Sequence, residues 1–423
     1  SSGDRVAKLM PPMILGNTAT ISECLSLDEE NTSGYSKEFY SASEELRKQY
    51  KNDEEAKQII DIALGLEGLR RQDGIHAAAI VISPDTITKF LPIQQKGSNA
   101  EIVTQYEMHT VEQLGLLKMD FLGLRNLSIV DRTLELIGSE SLDIDNLKLD
   151  DEKTFKLFAE GKMTGVFQLE SRVAQSTSRS LKPKRFEDIV ALVALIRPGP
   201  LGAGMHNEFA DRANNRKEIE YLHSDLESIL NETYGVILYQ EQVMQIAEKI
   251  AGFNLQEADN LRVAMGKKIP KVMEEQRKKF TDGAVSNNYS EQFAIELFDQ
   301  IAYFAGYGFN KSHSVPYALL AYQTAYLKAN YPAEYIAACL TAVKRDKDRT
   351  AIFLSEARDM GVKVSTPDVN LSSSDFTVND NEILFGLSAV RNVGDITADK
   401  IVFERESNGC LLYTSPSPRD PIG

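Results

Sequence analysis

The chain has 423 residues, enough for two or three domains, and its 42% hydrophobic and 26% charged residues are ordinary for a globular protein. It has no apolar run long enough to span a bilayer. Its three widely spaced cysteines argue against a disulfide framework or a zinc site and suit a reducing cytoplasm. The net charge of −15 argues against a uniformly basic surface, although nucleic-acid binding depends on where the cations lie. The first residues lack an initiator Met, so we expect the chain to begin inside a longer protein.

Apolar residues recur at helical spacing through the first 70 residues. Between Ile75 and Phe121 the pattern changes to short strands, in "IHAAAIVIS", "EIVTQY" and "GLLKMDFLG". Helices return from Leu127 onward, and one over "GVILYQEQVMQIAEKIAG" is predicted to end at Gly252. Another is predicted from Pro316 to about Asn330, capped by Ser312 or Ser314. The pattern therefore predicts a predominantly helical α+β fold.

A helix, short strands and a final helical pair are predicted after Lys344. "GLSAVRNVGDITADKIVFERE" (386–406) is typical of a helix-hairpin-helix, whose turn offers backbone N–H groups to a DNA phosphate. Asn392 stands where a first glycine is usual, and Gly394 closes the turn. Residues 410–423 contain three prolines and no periodicity, so we interpret this tail as an artefact foreign to the fold.

The strand "GLLKMDFLGL" carries the first candidate site. Lys118 and Asp120 share one face of a strand, whereas Leu117, Met119 and Phe121 share the other, which we expect to pack. A carboxylate on a strand can hold Mg²⁺ and a neighbouring lysine can meet a phosphate. The alternative is a structural ion pair at a sheet edge.

Two further segments predict phosphate contacts. In "ALIRPGPLGAG", Arg197 could form paired hydrogen bonds with a phosphate, or could simply bond to carbonyl groups. In "YFAGYGFNKSHSVPYALLAYQ", Tyr307 lies between glycines and could stack on a base, while Lys311 precedes a helix N-terminus that favours anions. The alternative is a helix cap beside a packed tyrosine. Asn310 occupies a glycine position of the P-loop pattern, which argues against an NTPase.

Long ordered strings in this sequence resemble one family. They are "GIHAAAIVISPDTI", "LLKMDFLGLRNLSIVD", "TGVFQLES", "FEDIVALVALIRPGPL", "TYGVILYQEQVMQIA", "MGKK" and "FAGYGFNKSHSVPYALLAYQTAYLKANYPAE". In this order they resemble the alpha subunits of bacterial DNA polymerase III, the C-family replicative polymerases. The resemblance covers about residues 1–409.

The resemblance implies a domain order. Residues 1–70 resemble the helical thumb, and 71–125 the second part of a palm of the polymerase-beta nucleotidyltransferase type. Residues 126–345 resemble the helical fingers, and 346–409 the start of the clamp-binding region with its helix-hairpin-helix. The family's N-terminal phosphoesterase-like (PHP) domain and its first two catalytic aspartates lie upstream and are not in this sequence.

The resemblance also implies site residues. Asp120 matches the third aspartate of a site for two Mg²⁺ ions, and Lys118 matches a lysine that contacts phosphate. The residues that match the family's dNTP contacts are Arg197, Tyr307, Asn310, Lys311 and His313. Those expected at DNA are Arg262, Lys267, Lys268, Asn392 and Gly394. Val263 replaces a second family arginine, which weakens that contact.

The implied function is template-directed DNA synthesis on primer–template DNA with dNTP substrates, in the bacterial cytoplasm and away from membranes. The implied partners are a sliding clamp, a clamp loader and a proofreading exonuclease bound through the PHP domain. With one of three aspartates, this chain is expected to be inactive alone. A non-catalytic DNA-binding module stays open as an alternative, and a P-loop-like NTPase as a remote one.

Overall fold

The computed structural model describes residues 2–12, 18–26, 34–69, 73–95, 97–98, 100–138, 142–267, 270–305 and 308–411. The chain divides into two compact units, Ser1–Leu124 and Arg125–Gly423, and each is described by itself. Among the described residues, no helix has the length and apolar character needed to cross a membrane.

The first unit combines short helices with two small antiparallel sheets. Its helices are α1 (Ser2–Ala7), α2 (Ile21–Leu25), α3 (Gly34–Ala42), α4 (Glu44–Asn52), α5 (Glu54–Leu66) and α6 (Met108–Gln113). Its strands are β1 (Ala79–Ile82), β2 (Ile93–Gln95), β3 (Ile102–Thr104) and β4 (Leu117–Asp120). Strand β1 pairs with β4, and β2 pairs with β3. The predicted change from helices to strands is confirmed.

The N-terminal helices pack around a small apolar core formed by Val6, Cys24, Leu46, Ala56 and Ile60. Side-chain caps fix where two of these helices begin. Thr20 accepts from the Glu23 N–H while Glu23 reaches back to the Thr20 N–H, and Asp53 accepts from two N–H groups of α5. Such caps satisfy backbone donors that the first turn of a helix leaves without an intrahelical partner.

The face of the β1–β4 ribbon predicted to pack is exposed. Val81 pairs with Lys118 across the ribbon and packs against a core of Leu91, Val111 and Leu116. Leu117, Met119 and Phe121 are 54%, 41% and 60% exposed, so the expectation that they pack is wrong for the described chain. Strand alternation determines which residues share a face, but it does not say which face a neighbouring element covers.

The second unit is a helical assembly with one three-stranded sheet. Its helices are α7 (Arg125–Ile137), α8 (Glu152–Glu160), α9 (Arg172–Leu181), α10 (Phe186–Leu195), α11 (Pro198–Gly202), α12 (Met205–Ala213), α13 (Glu227–Leu230), α14 (Gln240–Ala251), α15 (Leu255–Lys267), α16 (Pro270–Ser286), α17 (Glu291–Ala305), α18 (Lys311–Asn330), α19 (Pro332–Val343), α20 (Lys347–Asp359) and α21 (Asp395–Asn408). Its strands are β5 (Lys363–Val364), β6 (Thr377–Asn379) and β7 (Glu382–Leu384), in the order β5-β7-β6. The chain is thus mostly helical α+β, as predicted.

Helix α18 runs through the main core of this unit and packs against α10 and α8. Small residues (Ala318, Ala321 and Ala325) line its buried side, which lets the apolar α10 approach closely. The adjacent core between α14 and α17 also depends on a close approach, because a Cβ at Gly283 would overlap the carbonyl oxygen of Ala251. Close packing therefore holds α18 against α10, and in the adjacent core it holds α16 against α14.

Helix α18 begins five residues earlier than predicted. Its N-cap is Asn310, whose Oδ1 accepts from the His313 N–H at 2.8 Å. The Ser314 hydroxyl instead donates to the buried Val190 carbonyl at 2.7 Å, so Ser314 is not the cap. Pro316 lies inside the helix. An asparagine cap at 310 outweighs the preference of proline for a first helical turn.

The structure of residues 386–406 differs in part from the predicted helix-hairpin-helix. Its first helix is only one 3-10 turn, Leu387–Ala389, and α21 begins after Gly394. Asn392 has φ 68°, a left-handed conformation that Asn tolerates better than most non-glycine residues. This explains how the turn forms without a first glycine. Most of the tail, 412–423, lies outside the described residues.

Candidate functional site

Lys118 and Asp120 project from the same face of β4, as predicted, and form an ion pair. The Lys118 Nζ lies 2.6 Å from Oδ1 and 2.9 Å from Oδ2 of Asp120. The hydrogen bond from Lys118 lowers the pKa of Asp120 below its ordinary value, so the carboxylate is charged at neutral pH. The Asp120 side chain is 43% exposed, which leaves its oxygens accessible to a ligand.

Asp120 alone offers an incomplete metal site. A carboxylate oxygen is the kind of ligand that Mg²⁺ prefers, and its exposure on a strand suits that role. Among the residues that the structure describes, however, no group of three or more His, Cys, Asp or Glu side chains could hold a metal ion. Within the described part of the chain, Asp120 can therefore offer one carboxylate to a metal ion but belongs to no complete set of ligands.

The second candidate site lies at the N-terminus of α18, which is joined to the start of α14. Phe309 and Tyr239 form a parallel β-bridge, in which the Gln240 N–H donates to the Phe309 carbonyl at 2.9 Å. A Cβ on Gly308 would lie 3.0 Å from the Phe304 ring, so the lack of a side chain lets the backbone at Gly308 pass close to that ring. The bridge places "LYQEQ" directly beside "FNKSH".

Glu241 occupies the helix N-terminus that was predicted to hold a phosphate. Its carboxylate accepts from the Lys311 N–H at 2.9 and 3.0 Å and from the Ser312 N–H at 3.3 Å. These are two of the donors that a helix start leaves without intrahelical partners, in a position that the helix dipole makes favourable for negative charge. In this structure the backbone donors predicted to face a phosphate bind the protein's own carboxylate, Glu241.

The Lys311 side chain points to a different carboxylate. Its Nζ lies 2.7 and 2.8 Å from the two carboxylate oxygens of Glu232, and 5.6 Å from the centre of the Tyr239 ring. Both partners of the ion pair are partly exposed, at 36% for Lys311 and 29% for Glu232. The ammonium group is thus held between a carboxylate and an aromatic ring while still reaching solvent.

Aromatic rings and Arg197 complete this cluster. The guanidinium carbon of Arg197 lies 4.8 Å from the centre of the Phe309 ring. His313 stacks 4.3 Å from Tyr317 and lies edge-on to Phe309 at 5.6 Å. The structure thus brings Arg197, Asn310, Lys311 and His313 to one end of α18, while Tyr307 lies outside the described residues.

A buried polar network supports the cluster from behind. The Tyr234 hydroxyl donates to the buried Asp188 at 2.8 Å, and Arg185 donates to the Glu232 carbonyl at 2.7 Å. Burial, together with the nearby Asp188 charge, raises the pKa of Tyr234 to about 12. The Gln242 side chain accepts from the N–H groups of Leu238 and Tyr239 at 2.8 and 2.9 Å. These bonds hold the backbone of Glu232 and of the bridge segment in place.

The residues predicted at DNA are separate from this cluster in sequence and are only partly described. The Arg262 Nε donates to Asp259 at 2.8 Å on its own helix. The Lys267 side chain and all of Lys268 lie outside the described part of the chain. Asn392 is exposed, and a Cβ on Gly394 would meet no atom within 4 Å, so the turn is open to a ligand.

Four residues of this cluster have no signal in the sequence that marks them as site residues: Glu232, Glu241, Tyr239 and Phe309. The two glutamates lie 79 and 70 residues before Lys311, and only the β-bridge brings them together. The string "GVILYQEQ" was interpreted as a helix alone, whereas residues up to Tyr239 precede α14 and form the bridge. Its apolar start before a charged helix is the one local signal that could have indicated a short extended segment.

Replacing Glu241 with Gln should destabilise the second unit. The change removes the charged acceptor from two backbone donors at the start of α18, and we expect the free energy of unfolding to fall by about 1–2 kcal/mol. Urea unfolding followed by circular dichroism measures it. Glu248→Gln is the matched control, because it removes the same charge from the same helix and the Glu248 carboxylate forms no hydrogen bond within the described part of the chain. Equal stability of the two variants would contradict the capping role.

These features define a class of protein: a mostly helical α+β chain in which Lys118 and Lys311 each pair with a partly exposed carboxylate. Three family models match it. The model of the bacterial DNA polymerase III alpha subunit finger domain matches residues 126–288, and that of the bacterial DNA polymerase III alpha NTPase domain matches 6–123. A helix-hairpin-helix motif matches 361–413, which supports the motif predicted at 386–406.

Curated relatives match almost the whole chain. DNA polymerase III subunit alpha of Saccharopolyspora erythraea is 43% identical over 96% of this chain and 34% of its own length. The proteins of that name from Escherichia coli K12 and Thermus aquaticus are 43% and 48% identical, over 96% and 86% of this chain and 35% and 30% of their own lengths. The chain belongs to the family of bacterial DNA polymerase III alpha subunits, and it spans about a third of the length of these relatives.

Proposed function

We propose that this chain carries part of the polymerising site of a bacterial replicative DNA polymerase. In the complete reaction, the primer 3′-hydroxyl attacks the α-phosphate of a dNTP and pyrophosphate leaves. The observation that supports this most is the match to named alpha subunits over 96% of the chain. Residues 1–70 would serve as thumb, 71–125 as the second part of a polymerase-beta-like palm, 126–345 as fingers, and 346–409 as the start of the clamp-binding region.

In the palm, Asp120 would supply one ligand to a metal site whose other carboxylates come from outside the described residues. When bound, Mg²⁺ ions in such a site activate the attacking oxygen and neutralise charge on the leaving oxygen. Lys118 now neutralises Asp120 and lies close enough to meet a phosphate that approaches the same face. Its charge would then be shared between the carboxylate and the substrate.

In the fingers, Lys311 and Arg197 would meet the triphosphate of the incoming nucleotide. Both cations lie at one end of α18 beside aromatic rings, where a charged phosphate and a flat base or sugar can be held together. Asn310 contributes by capping α18, and His313 by its exposed ring. Tyr307 keeps its proposed stacking role.

The remaining positive residues would position DNA. Arg262, Lys267 and Lys268 would contact phosphates of the primer–template, as would the open turn at Asn392 and Gly394. The sliding clamp, the clamp loader and the proofreading exonuclease are the proposed partners of the complete subunit in the bacterial cytoplasm.

A DNA-binding module without catalysis is the second candidate for the chain in isolation. The helix-hairpin-helix match favours it, as does the lack of a group of metal-binding side chains among the described residues. Filter binding separates the two functions, because the module requires DNA affinity that falls steeply with salt and is indifferent to the identity of an added dNTP. The P-loop alternative fits poorly, since helix α17 stands where a P-loop needs a strand.

The proposed dNTP contact is tested by Lys311→Met in a complete alpha subunit that contains this segment. A charge-assisted hydrogen bond to phosphate is lost, so the KM for dNTP in primer extension should rise at least about tenfold. Lys162→Met is the matched control, because Lys162 also pairs with a glutamate, Glu160, at 2.7 Å. An unchanged KM for Lys311→Met would refute the contact.

A further inference from the structure

We propose that Glu232 is a displaceable counter-ion: Lys311 exchanges the Glu232 carboxylate for the triphosphate when a nucleotide binds, whereas Glu241 stays on the end of α18. Glu232 is then a positioning residue that affects nucleotide affinity and selectivity through Lys311. This inference rests on the proposed function of Lys311 as a triphosphate contact.

The two carboxylates at this site are held in different ways. Glu241 accepts from backbone N–H groups of Lys311 and Ser312, whose positions the packed helix α18 fixes. Glu232 accepts from the ammonium at the end of the flexible Lys311 side chain. Lys311 can therefore turn away from Glu232 without moving the backbone, whereas displacing Glu241 would leave helix donors unpaired.

The ion pair is weak enough to exchange. Both side chains are partly exposed, at 36% for Lys311 and 29% for Glu232. Removing such an exposed pair changes a folding or binding equilibrium constant by only about two- to fivefold. A triphosphate offers several charged oxygens to the same ammonium, so it can replace a single carboxylate. A weak anion such as inorganic phosphate competes less well.

Glu232 itself stays in place during this exchange. Arg185 donates to its backbone carbonyl at 2.7 Å, and Thr233 next to it is buried. After the exchange, the free carboxylate lies beside the bound phosphates and repels them, which favours release of the pyrophosphate product. Glu232 thus lowers the affinity of this site for every anion. The ligand with the most negative charge is then the one that binds.

The test measures KM for dNTP in primer extension by a complete alpha subunit with Glu232→Gln. We expect KM to fall about two- to fivefold, and the inhibition constant of inorganic tripolyphosphate to fall by the same factor. A purely structural role predicts the opposite, because loosening the site raises KM. Glu232→Asp, which withdraws the carboxylate by one methylene, should act in the same direction with a smaller effect and gives a result if the Gln variant folds poorly.

The double variant Glu232→Gln/Lys311→Met separates ion-pair exchange from a general field effect. If Glu232 acts through Lys311, the fall in KM disappears in the Lys311→Met background; if it persists, the exchange is wrong. Glu160→Gln is the control: the backbone carbonyl of its partner Lys162 accepts a hydrogen bond from Lys328, which lies about 25 Å along α18 from Lys311. It should leave KM unchanged.

The possible outcomes separate a failure of the proposed Glu232 exchange from a failure of the proposed contact between Lys311 and the triphosphate. If Lys311→Met raises KM but Glu232→Gln leaves it unchanged or raises it, the inference is overturned and the proposed contact stands. If Lys311→Met leaves KM unchanged, both fall. A fall in KM with Glu232→Gln that is abolished by Lys311→Met supports both.

Discussion

Replacing Asp120 with Asn in a complete alpha subunit is expected to lower the rate of primer extension by about a thousandfold or more. The amide removes the negative charge that would hold a metal ion and keeps nearly the same volume, so the β1–β4 ribbon should remain folded. Affinity for primer–template DNA should change little, because Asp120 carries negative charge and is not a phosphate contact. Steady-state extension assays and filter binding measure the two quantities.

Asp85→Asn is the matched control for Asp120. Asp85 lies in the same unit, its pKa is also lowered by a hydrogen bond from a lysine, Lys89, and it is not among the proposed ligands. We expect extension close to that of the unaltered subunit. Turnover that survives in Asp120→Asn, or that is lost equally in Asp85→Asn, would contradict the role of Asp120 as a metal ligand.

Replacing Lys328 with Met should lower the free energy of unfolding of the second unit by about 3–5 kcal/mol. Lys328 is fully buried, and its Nζ lies 2.6 Å from Glu356 and 2.7 and 2.8 Å from the carbonyls of Lys162 and Thr164. Burial lowers the pKa of Lys328, while Glu356 opposes this shift. The methionine would leave a largely buried carboxylate and two carbonyl groups without their partner.

Chemical unfolding followed by far-UV circular dichroism measures this loss, since the chain has no tryptophan for fluorescence. Lys363→Met is the matched control, because Lys363 pairs with Glu382 at 3.0 Å but is 77% exposed. Such a pair is worth less than about 1 kcal/mol. Equal losses for the two variants would show that burial does not determine the effect. The double variant Lys328→Met/Glu356→Gln should recover part of the stability.

The sequence predicts those features of the fold that depend on residues close together in the chain. Period-two alternation placed Lys118 and Asp120 on one face, and the structure pairs them at 2.6 Å. Helical spacing and a stop at Gly252 predicted α14, which ends in a left-handed glycine with φ 68°. The prediction that α18 begins at Pro316 is wrong, because helical propensity alone does not rank an asparagine cap at 310 against a proline in the first turn.

Long-range contacts could not be predicted in the same way. Glu232 and Glu241 meet Lys311 only because a bridge joins Tyr239 to Phe309, and no local pattern specifies that pairing. The exposure of Leu117 and Met119 likewise depends on what covers the ribbon, not on the strand itself. The resemblance to a family named the cationic residues of the site, but the carboxylates that neutralise them required the structure.

The most direct test is a structure of a complete alpha subunit bound to primer–template DNA and a non-hydrolysable dNTP analogue. We predict that the Lys311 Nζ lies within hydrogen-bond distance, about 2.7–3.2 Å, of a triphosphate oxygen and has left Glu232. Glu241 should remain on the first turn of α18. A triphosphate bound elsewhere, with Lys311 still paired to Glu232, would contradict the account.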